Sequence, residues 1–390
     1  MRIGIDASRA FGPERTGTEE YSYQMIKHLL GLPEAREHEW VLYTRHSEAE
    51  PKNPDWILHY VQDDKVRVIN IRNKYLWTQV GLAARTWVDK LDILWVPAHT
   101  LPVLRRPGLA TVVTIHGIEY EWLPAYENAL QRWYLPLSTK YAVLSAKKII
   151  AVSEFTKKQL VERLGAEEKK IKVIYEGTGS FSFDSAQDQD DRSRHAERSE
   201  ASGILKKFDL KPKRYLLFVG TVQPRKNLVR LIRAFSSGSF GVPQDDKLRL
   251  VIAGKLGWNY QEVVELAKKH NVLVTGYISE TERDSLLRNA LVYVQPSITE
   301  GFGLPIIEAM RAGVPVVSSN GGALPEVVGD AGLLFDPYNI ENIRTVLEKV
   351  IKDVKLQKSL IELGKKRVEE FSWQKAAMET YSYLTSSYSV

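Results

Sequence analysis

At 390 residues, 44% hydrophobic and 26% charged, the chain is long enough for two domains of roughly 150 residues each, and its composition excludes both wholesale disorder and a fibrous fold. Its 54 Lys and Arg against 48 Asp and Glu leave a formal charge of +6, which suits an anionic substrate or a lipid surface but falls short of a nucleic-acid footprint. With no cysteine there is no disulfide, iron–sulfur cluster or Cys-type zinc site, and no apolar stretch reaches the roughly 18 residues that span a bilayer.

The opening residues, MRIGIDASRA, lack the apolar core of a signal peptide, so a cytoplasmic location is expected. RIGIDA reads as a buried strand, and the loop FGPERTGT leads into a helix near Glu19 to Leu30, with Thr16 and Glu19 at capping-box spacing. Gly17 and Thr18 stand before that helix, where free amides attract anions. Short apolar runs follow at WVLYT, KVRVIN, DILWVP, ATVVTIH, KKIIAVS and KVIYEG, with helical patterns between several of them. That alternation marks a parallel α/β sheet. His116 and the pair Ser153 and Glu154 fall at the carboxyl ends of two of these strands, where such sheets bind ligands.

A local basic cluster comprises Lys147, Lys148, Lys157, Lys158, Lys169, Lys170 and Lys172, with Arg105 and Arg106 upstream. It reads first as solvated helix faces and second as a weak docking surface for anionic lipid headgroups.

Near Thr178 the character changes. The stretch SFSFDSAQDQDDRSRHAERSEASG is polar, charged and almost free of large aliphatic residues, so it cannot build a core. Phe181 to about Lys207 is read as a linker swollen by a disordered insert. The α/β rhythm then resumes with RYLLFVG, a helix from Asn227 to Phe235, LRLVIAG, a helix around Val263 to His270, VLVTG, a helix from Thr281, LVYVQ and PVVSS. The expected division is an amino-terminal Rossmann-like domain over 1–177, a linker over 178–210, a second Rossmann-like domain over 211–372, and a helix over 373–390 that rejoins the first.

The segment ITEGFGLPIIEAMRAGVPVV carries the densest chemistry. Glu300 lies in the loop after strand Leu291–Gln295, Pro305 fits the first turn of a helix, and Glu308 follows about one turn in. Glycines 301 and 303 and the free amides of that helix suit a phosphate, whereas the two carboxylates repel one. They must therefore address hydroxyls of the same ligand, as a nucleotide sugar would offer on either side of its diphosphate. In FVGTVQPRKNL the loop after another strand delivers Arg225 and Lys226, two cations for that diphosphate. No H-E-x-x-H, G-x-x-x-x-G-K-[ST] or G-x-S-x-G occurs, and no D-x-D pair sits in a metal-binding position, so chemistry without a metal ion is expected.

From IGIDASRAFGPERTGTEEY through TIHGIEY, AVSEFT, VIYEG, FVGTVQPRKNLVRLIRAF, LVIAGKLGW, VTGYIS and EGFGLPIIEAMRAGVPVV to GGALPEVVGDAGLLFDP, the chain resembles family 4 glycosyltransferases of the GT-B fold, in particular the bacterial mannosyltransferase-like group. The E-x7-E element from Glu300 to Glu308, combined with PRKN, is the specific signature, and only the insert falls outside. The resemblance implies two doubly wound α/β domains facing across a cleft. It implies that Glu308 holds the nucleotide ribose, Glu300 contacts sugar hydroxyls, and Arg225 and Lys226 neutralise the diphosphate with help from the amides of Gly303 and Leu304. His116 would contact the transferred sugar near its anomeric carbon, and Gly17 would belong to the loop that closes over the phosphates.

The resemblance further implies retention of anomeric configuration without a metal or other cofactor, with GDP-mannose as the first expected donor. A lipid-linked saccharide or a growing cell-surface polysaccharide is the expected acceptor, read by loops such as Tyr75 to Trp77 and Tyr120 to Tyr126. Peripheral contact with the inner face of the cell membrane is a further expectation, and nucleic acid is not expected as a partner. Two positions depart from the family pattern: Thr221 stands where many members have an arginine, shifting phosphate load to Arg225, and Gly117 stands where an aspartate often follows the histidine. Two alternatives use the same residues, a nucleotide-sugar epimerase of this fold and a catalytically inactive scaffold or partner subunit.

Overall fold

The computed structural model describes residues 1–11, 15, 17–45, 65–72, 76–118, 129–178, 203–238, 240 and 248–386. Thr16, Tyr75, the loop 120–126 and residues 181–202 of the polar insert lie outside them. The chain forms two units, one from Met1–Gly177 with Ser372–Val390 and the other from Thr178–Phe371.

The first unit holds a seven-stranded parallel sheet: β1 (Arg2–Asp6), β2 (Glu39–Arg45), β3 (Val66–Ile71), β4 (Ile93–Val96), β5 (Ala110–Ile115), β6 (Lys148–Ala151) and β7 (Ile171–Val173). The order is β3-β2-β1-β4-β5-β6-β7. ATVVTI of β5 is buried along its whole length, the near-continuous apolar pattern of a strand covered on both faces. One core cluster joins Val113 and Ile115 of β5 to Ile149 of β6 and to Leu160 and Leu164 of the following helix. Between β1 and β4 the strand order reverses, so the loops after these strands diverge and leave a crevice at the carboxyl edge.

The carboxy-terminal helix Trp373–Thr385 belongs to this first unit. Trp373 meets the Tyr21 ring edge-on at 5.9 Å, Tyr383 donates its hydroxyl to the Lys170 carbonyl at 2.6 Å, and Tyr381 donates to the Glu34 carbonyl at 3.0 Å.

The second unit holds a six-stranded parallel sheet of β8 (Tyr215–Val219), β9 (Arg249–Ala253), β10 (Leu273–Gly276), β11 (Val292–Gln295), β12 (Val316–Ser319) and β13 (Gly332–Phe335), in the order β10-β9-β8-β11-β12-β13. Its reversal falls between β8 and β11, the two strands whose loops carry Arg225, Lys226 and Glu300. The helix Glu280–Asn289 begins in a full capping box, Ser279 accepting from the Glu282 amide while the Glu282 carboxylate accepts from the Ser279 amide.

The structure departs from the sequence reading in three places. Residues 203–207 form a helical turn with Ile204 and Leu205 buried, so the polar stretch ends before Lys207: two adjacent aliphatic side chains suffice to dock it. Strand β13 and the helices Ile340–Lys352 and Val354–Val368 had no counterpart in that reading. The strand is only four residues long and partly exposed, and so left a weak pattern. Finally, the lysine cluster is only partly the solvated face first read: Lys147, Lys158 and Lys169 are exposed, while others are part-buried and paired. Lys157 pairs with Glu168 at 2.9 Å, Lys169 and Lys170 with Glu167 at 3.0 and 2.5 Å, and Lys148 donates to the Ser386 hydroxyl at 2.8 Å.

Candidate functional site

Strand β8 is followed by Gly220 and a short 3-10 turn, Pro224–Lys226, which ends at Asn227 in the left-handed region (φ 57°), a conformation asparagine tolerates. The buried Asn227 amide donates to the carbonyls of Pro296 at 3.0 Å and Pro337 at 2.7 Å. It thus ties the loop after β8 to the loop after β11. The amide of Ile298 adds a second tie by donating to the Arg225 carbonyl at 2.8 Å.

This clamp brings three of the expected site residues together. Lys226 donates to Glu300 Oε1 at 2.5 Å, Arg225 donates to Glu300 Oε2, and Arg225 also reaches the Thr299 carbonyl at 3.2 Å. Ser297 Oγ donates to Glu300 Oε1 at 2.6 Å and the Gln295 amide approaches the same oxygen at 3.2 Å. Glu300 is buried. Burial alone would raise its carboxyl pKa, but the charges of Arg225 and Lys226, with hydrogen bonds from Lys226 and Ser297, outweigh it and bring the value down to about 2.

The backbone of Glu300 is also fixed. Its carbonyl accepts from the Ala323 amide at 2.9 Å, and Gly322, at φ 65°, lies so close that a β-carbon there would stand 2.4 Å from that carbonyl oxygen. Only glycine fits this approach.

Glu308 sits on the helix Leu304–Arg311, which is preceded by Gly303 at φ 119° and carries Pro305 in its first turn. Its carboxylate meets the Arg283 guanidinium at 3.3 Å. Tyr293, in β11, reports on both acids. Burial foremost, then the negative charges of Glu308 and Glu300, push its hydroxyl well above the usual range. Gly303 precedes and Leu304 begins the helix that carries Glu308.

His116 and Gly17 lie in the first unit. His116 follows β5, with Nδ1 3.0 Å from Glu176 Oε1 and Nε2 3.1 Å from the Pro97 carbonyl, so both ring nitrogens face oxygen acceptors. The Tyr21 ring stands edge-on at 4.5 Å and the buried His99 ring at 5.7 Å. Burial first, and the neighbouring His116 and Arg9 second, hold His99 well below the ordinary imidazole pKa. Gly117 adopts φ 150°, which an aspartate would take up only under strain. The glycine at this departure thus follows from the backbone, and Glu176 supplies a carboxylate to the ring instead. Gly17 begins the helix Gly17–Leu30 with open space where a β-carbon would stand, and residues 12–14 and 16 of its loop lie outside the described residues. Ser153 caps the helix Glu154–Leu164 by accepting from the Thr156 amide at 3.0 Å, a structural task.

The sequence reading missed Asn227, Ser297, Gln295, Arg283 and Glu176. The signal for Ser297 and Gln295 was their place just after and at the end of β11, next to Glu300. Nothing local marked Arg283 or Glu176, whose partners are distant in the chain.

Residues 15–178 match the family model of Glycosyltransferase Family 4, and residues 204–367 match that of Glycosyl transferases group 1. The O-antigen chain mannosyltransferase B of Escherichia coli is 30% identical over 275 residues, covering 69% of this chain and 68% of that protein. The serotype-specific mannosyltransferase WbdA of Escherichia coli is 31% identical over 188 residues, which is 47% of this chain but 22% of that longer protein. In fold, the chain is similar to Anabaena Alr3699/HepE, solved in complex with UDP-glucose, with a TM-score of 0.69 at 16% identity over 99% of each chain.

Proposed function

Because the chain belongs to glycosyltransferase family 4, and is a glycosyltransferase of two parallel-sheet α/β domains, we propose that it transfers a hexose from a nucleotide sugar with retention of anomeric configuration. The donor is GDP-mannose, the acceptor a lipid-linked saccharide or a growing cell-surface polysaccharide, and no metal ion takes part. The mannosyltransferase names of the relatives support the sugar, and the observation that carries the donor site is the meeting of Arg225 and Lys226 at Glu300 beside the reversal of strand order.

In this reading the bond from the anomeric carbon to the diphosphate oxygen breaks as the acceptor oxygen bonds to the same face of the sugar. The acceptor's proton goes to the departing phosphate. Arg225 and Lys226, with the amides of Gly303 and Leu304, stabilise the charge that develops on the leaving group, and they do so without moving. Glu300 is the counter-ion that holds the two cations in place until the diphosphate competes for them, and its carboxylate then contacts the sugar hydroxyls. Glu308 accepts hydrogen bonds from the ribose. His116, braced by Glu176, belongs to the first unit's part of the reaction.

Calorimetric titration with GDP, UDP, GDP-mannose and UDP-glucose, followed by detection of released nucleotide with and without a chelator, tests the proposal. GDP-mannose is expected to bind and to release GDP slowly in the absence of acceptor, chelator making no difference. Glu308→Ala should weaken GDP binding roughly ten- to a hundredfold, the loss of a charged acceptor from hydroxyl hydrogen bonds. Binding of none of the four, or accumulation of an epimer without acceptor, would refute it.

A further inference from the structure

Val292 and Val294 of β11 belong to the apolar core of the second unit, but Tyr293 and Gln295, which alternate with them, are polar and just as buried, at 0% and 1% exposure. Two residues apart on a strand, they share its other face. Burying a phenol hydroxyl and a primary amide costs free energy unless each finds a partner, and aliphatic side chains would avoid that cost. Here the partners are present, and they form a row.

The direction of the row follows from which groups can donate. Glu300, as a carboxylate, only accepts, so Gln295 must turn its amide nitrogen towards it, and that nitrogen lies 3.2 Å from Oε1. The amide oxygen then points back along the strand, where Tyr293 donates to it. Burial above all, followed by the charges of Glu308 and Glu300, pushes the Tyr293 hydroxyl well above its usual pKa, so it keeps the proton that it donates. Gln295 also donates to Ser297 Oγ at 2.7 Å, and Ser297 Oγ gives its single proton to Glu300 Oε1 at 2.6 Å. From Tyr293 onward every donor points to one carboxylate oxygen, an arrangement in which each hydrogen bond polarises the next. Ser297 is itself anchored, its carbonyl accepting from Ser319 Oγ at the end of β12.

The two oxygens of Glu300 are thus unequal. Oε1 takes Lys226, Ser297 and Gln295, whereas Oε2 takes Arg225. When a diphosphate draws both cations away, as in the function proposed above, the neutral donors are what still hold the carboxylate. Both of them bind Oε1. Oε2 is then left for a sugar hydroxyl, with its direction fixed. We infer that Tyr293 and Gln295 are positioning residues, which act through Ser297 and Glu300 Oε1 to present Glu300 Oε2 to the transferred sugar.

The inference rests on the donor reading and is tested with the full chain and GDP-mannose. Tyr293→Phe with Gln295→Leu removes both members together and leaves neither with an unpaired buried group, so the urea midpoint should stay close to the parent's. Release of GDP from GDP-mannose should nevertheless fall about fivefold to tenfold, the equivalent of roughly one hydrogen bond, while GDP alone binds as before because its phosphates and ribose meet other groups. In a Glu300→Gln background the same two substitutions should change the rate by less than about twofold, since the carboxylate they aim is gone. If the double variant does not fold, Tyr293→Phe alone, which frees the Gln295 amide to turn, gives a second measurement, with an expected loss of about twofold to fivefold. Equal fractional losses with and without the Glu300 carboxylate, or a folded variant that releases GDP at the parent's rate, would overturn the inference and leave the proposed donor standing. A parent chain that neither binds GDP nor releases it from GDP-mannose removes the donor reading first, and the inference with it.

Discussion

Lys226→Met is expected to lower the turnover number by about 10²–10³, the loss seen when one preorganised donor to a developing anion is removed. Methionine keeps the length and apolar stem of the side chain and removes the ammonium, so the loop after β8 retains its packing. Arg225 still meets Glu300, so the fold should be nearly unaffected. The fall should appear in turnover more than in the Michaelis constant, because the ammonium acts most strongly on charge that grows as the bond to the diphosphate breaks. Steady-state rates of nucleotide release over a range of GDP-mannose concentrations check this. A rate within about tenfold of the parent would remove Lys226 from the leaving-group machinery, being smaller than the effect of a single such donor.

Glu300→Ala is expected to destabilise the protein by about 1–3 kcal/mol, the cost of leaving two part-buried cations without their buried counter-ion. The Lys226 side chain is only 13% exposed and depends on Glu300 Oε1 at 2.5 Å. Urea unfolding near neutral pH measures the loss, and a midpoint equal to the parent's would show that the carboxylate does not anchor the pair. The same interaction has a signature in acid. The folded-state pKa of Glu300 lies below its ordinary value of 4.5, at about 2. Its contribution is therefore complete above the unfolded pKa and disappears as pH falls from there towards about 2. The stability difference between parent and Glu300→Ala should shrink across that window.

Much of this arrangement was legible in the amino-acid sequence, for local reasons. YLLFV and VYVQ are buried apolar runs that end in glycine or proline, so the positions of Arg225, Lys226 and Glu300 at the carboxyl ends of β8 and β11 could be read from neighbouring residues. What could not be read was which groups they would meet. Glu300 reaches its cations across sequence separations of 74 and 75 residues, and His116 reaches Glu176 across 60, distances over which only the strand order decides proximity. The β8–β11 adjacency, itself a product of the reversal in strand order, is what gives the Glu300 carboxylate its two cationic partners. In the lysine cluster the reverse holds: Glu167 and Glu168, which pair with Lys157, Lys169 and Lys170, were adjacent in sequence but their orientation was not evident.

The return of the helix Trp373–Thr385 to the first unit bears on the order of events at the ribosome. Domains usually fold in the order in which they are synthesised. Here the second unit is one unbroken stretch and can mature as soon as residue 371 has emerged, whereas the first waits for partners such as Tyr383 that are translated after the whole of the second unit. The nascent amino-terminal sheet must therefore survive, with Tyr21 lacking its Trp373 neighbour, through the making of the entire second unit.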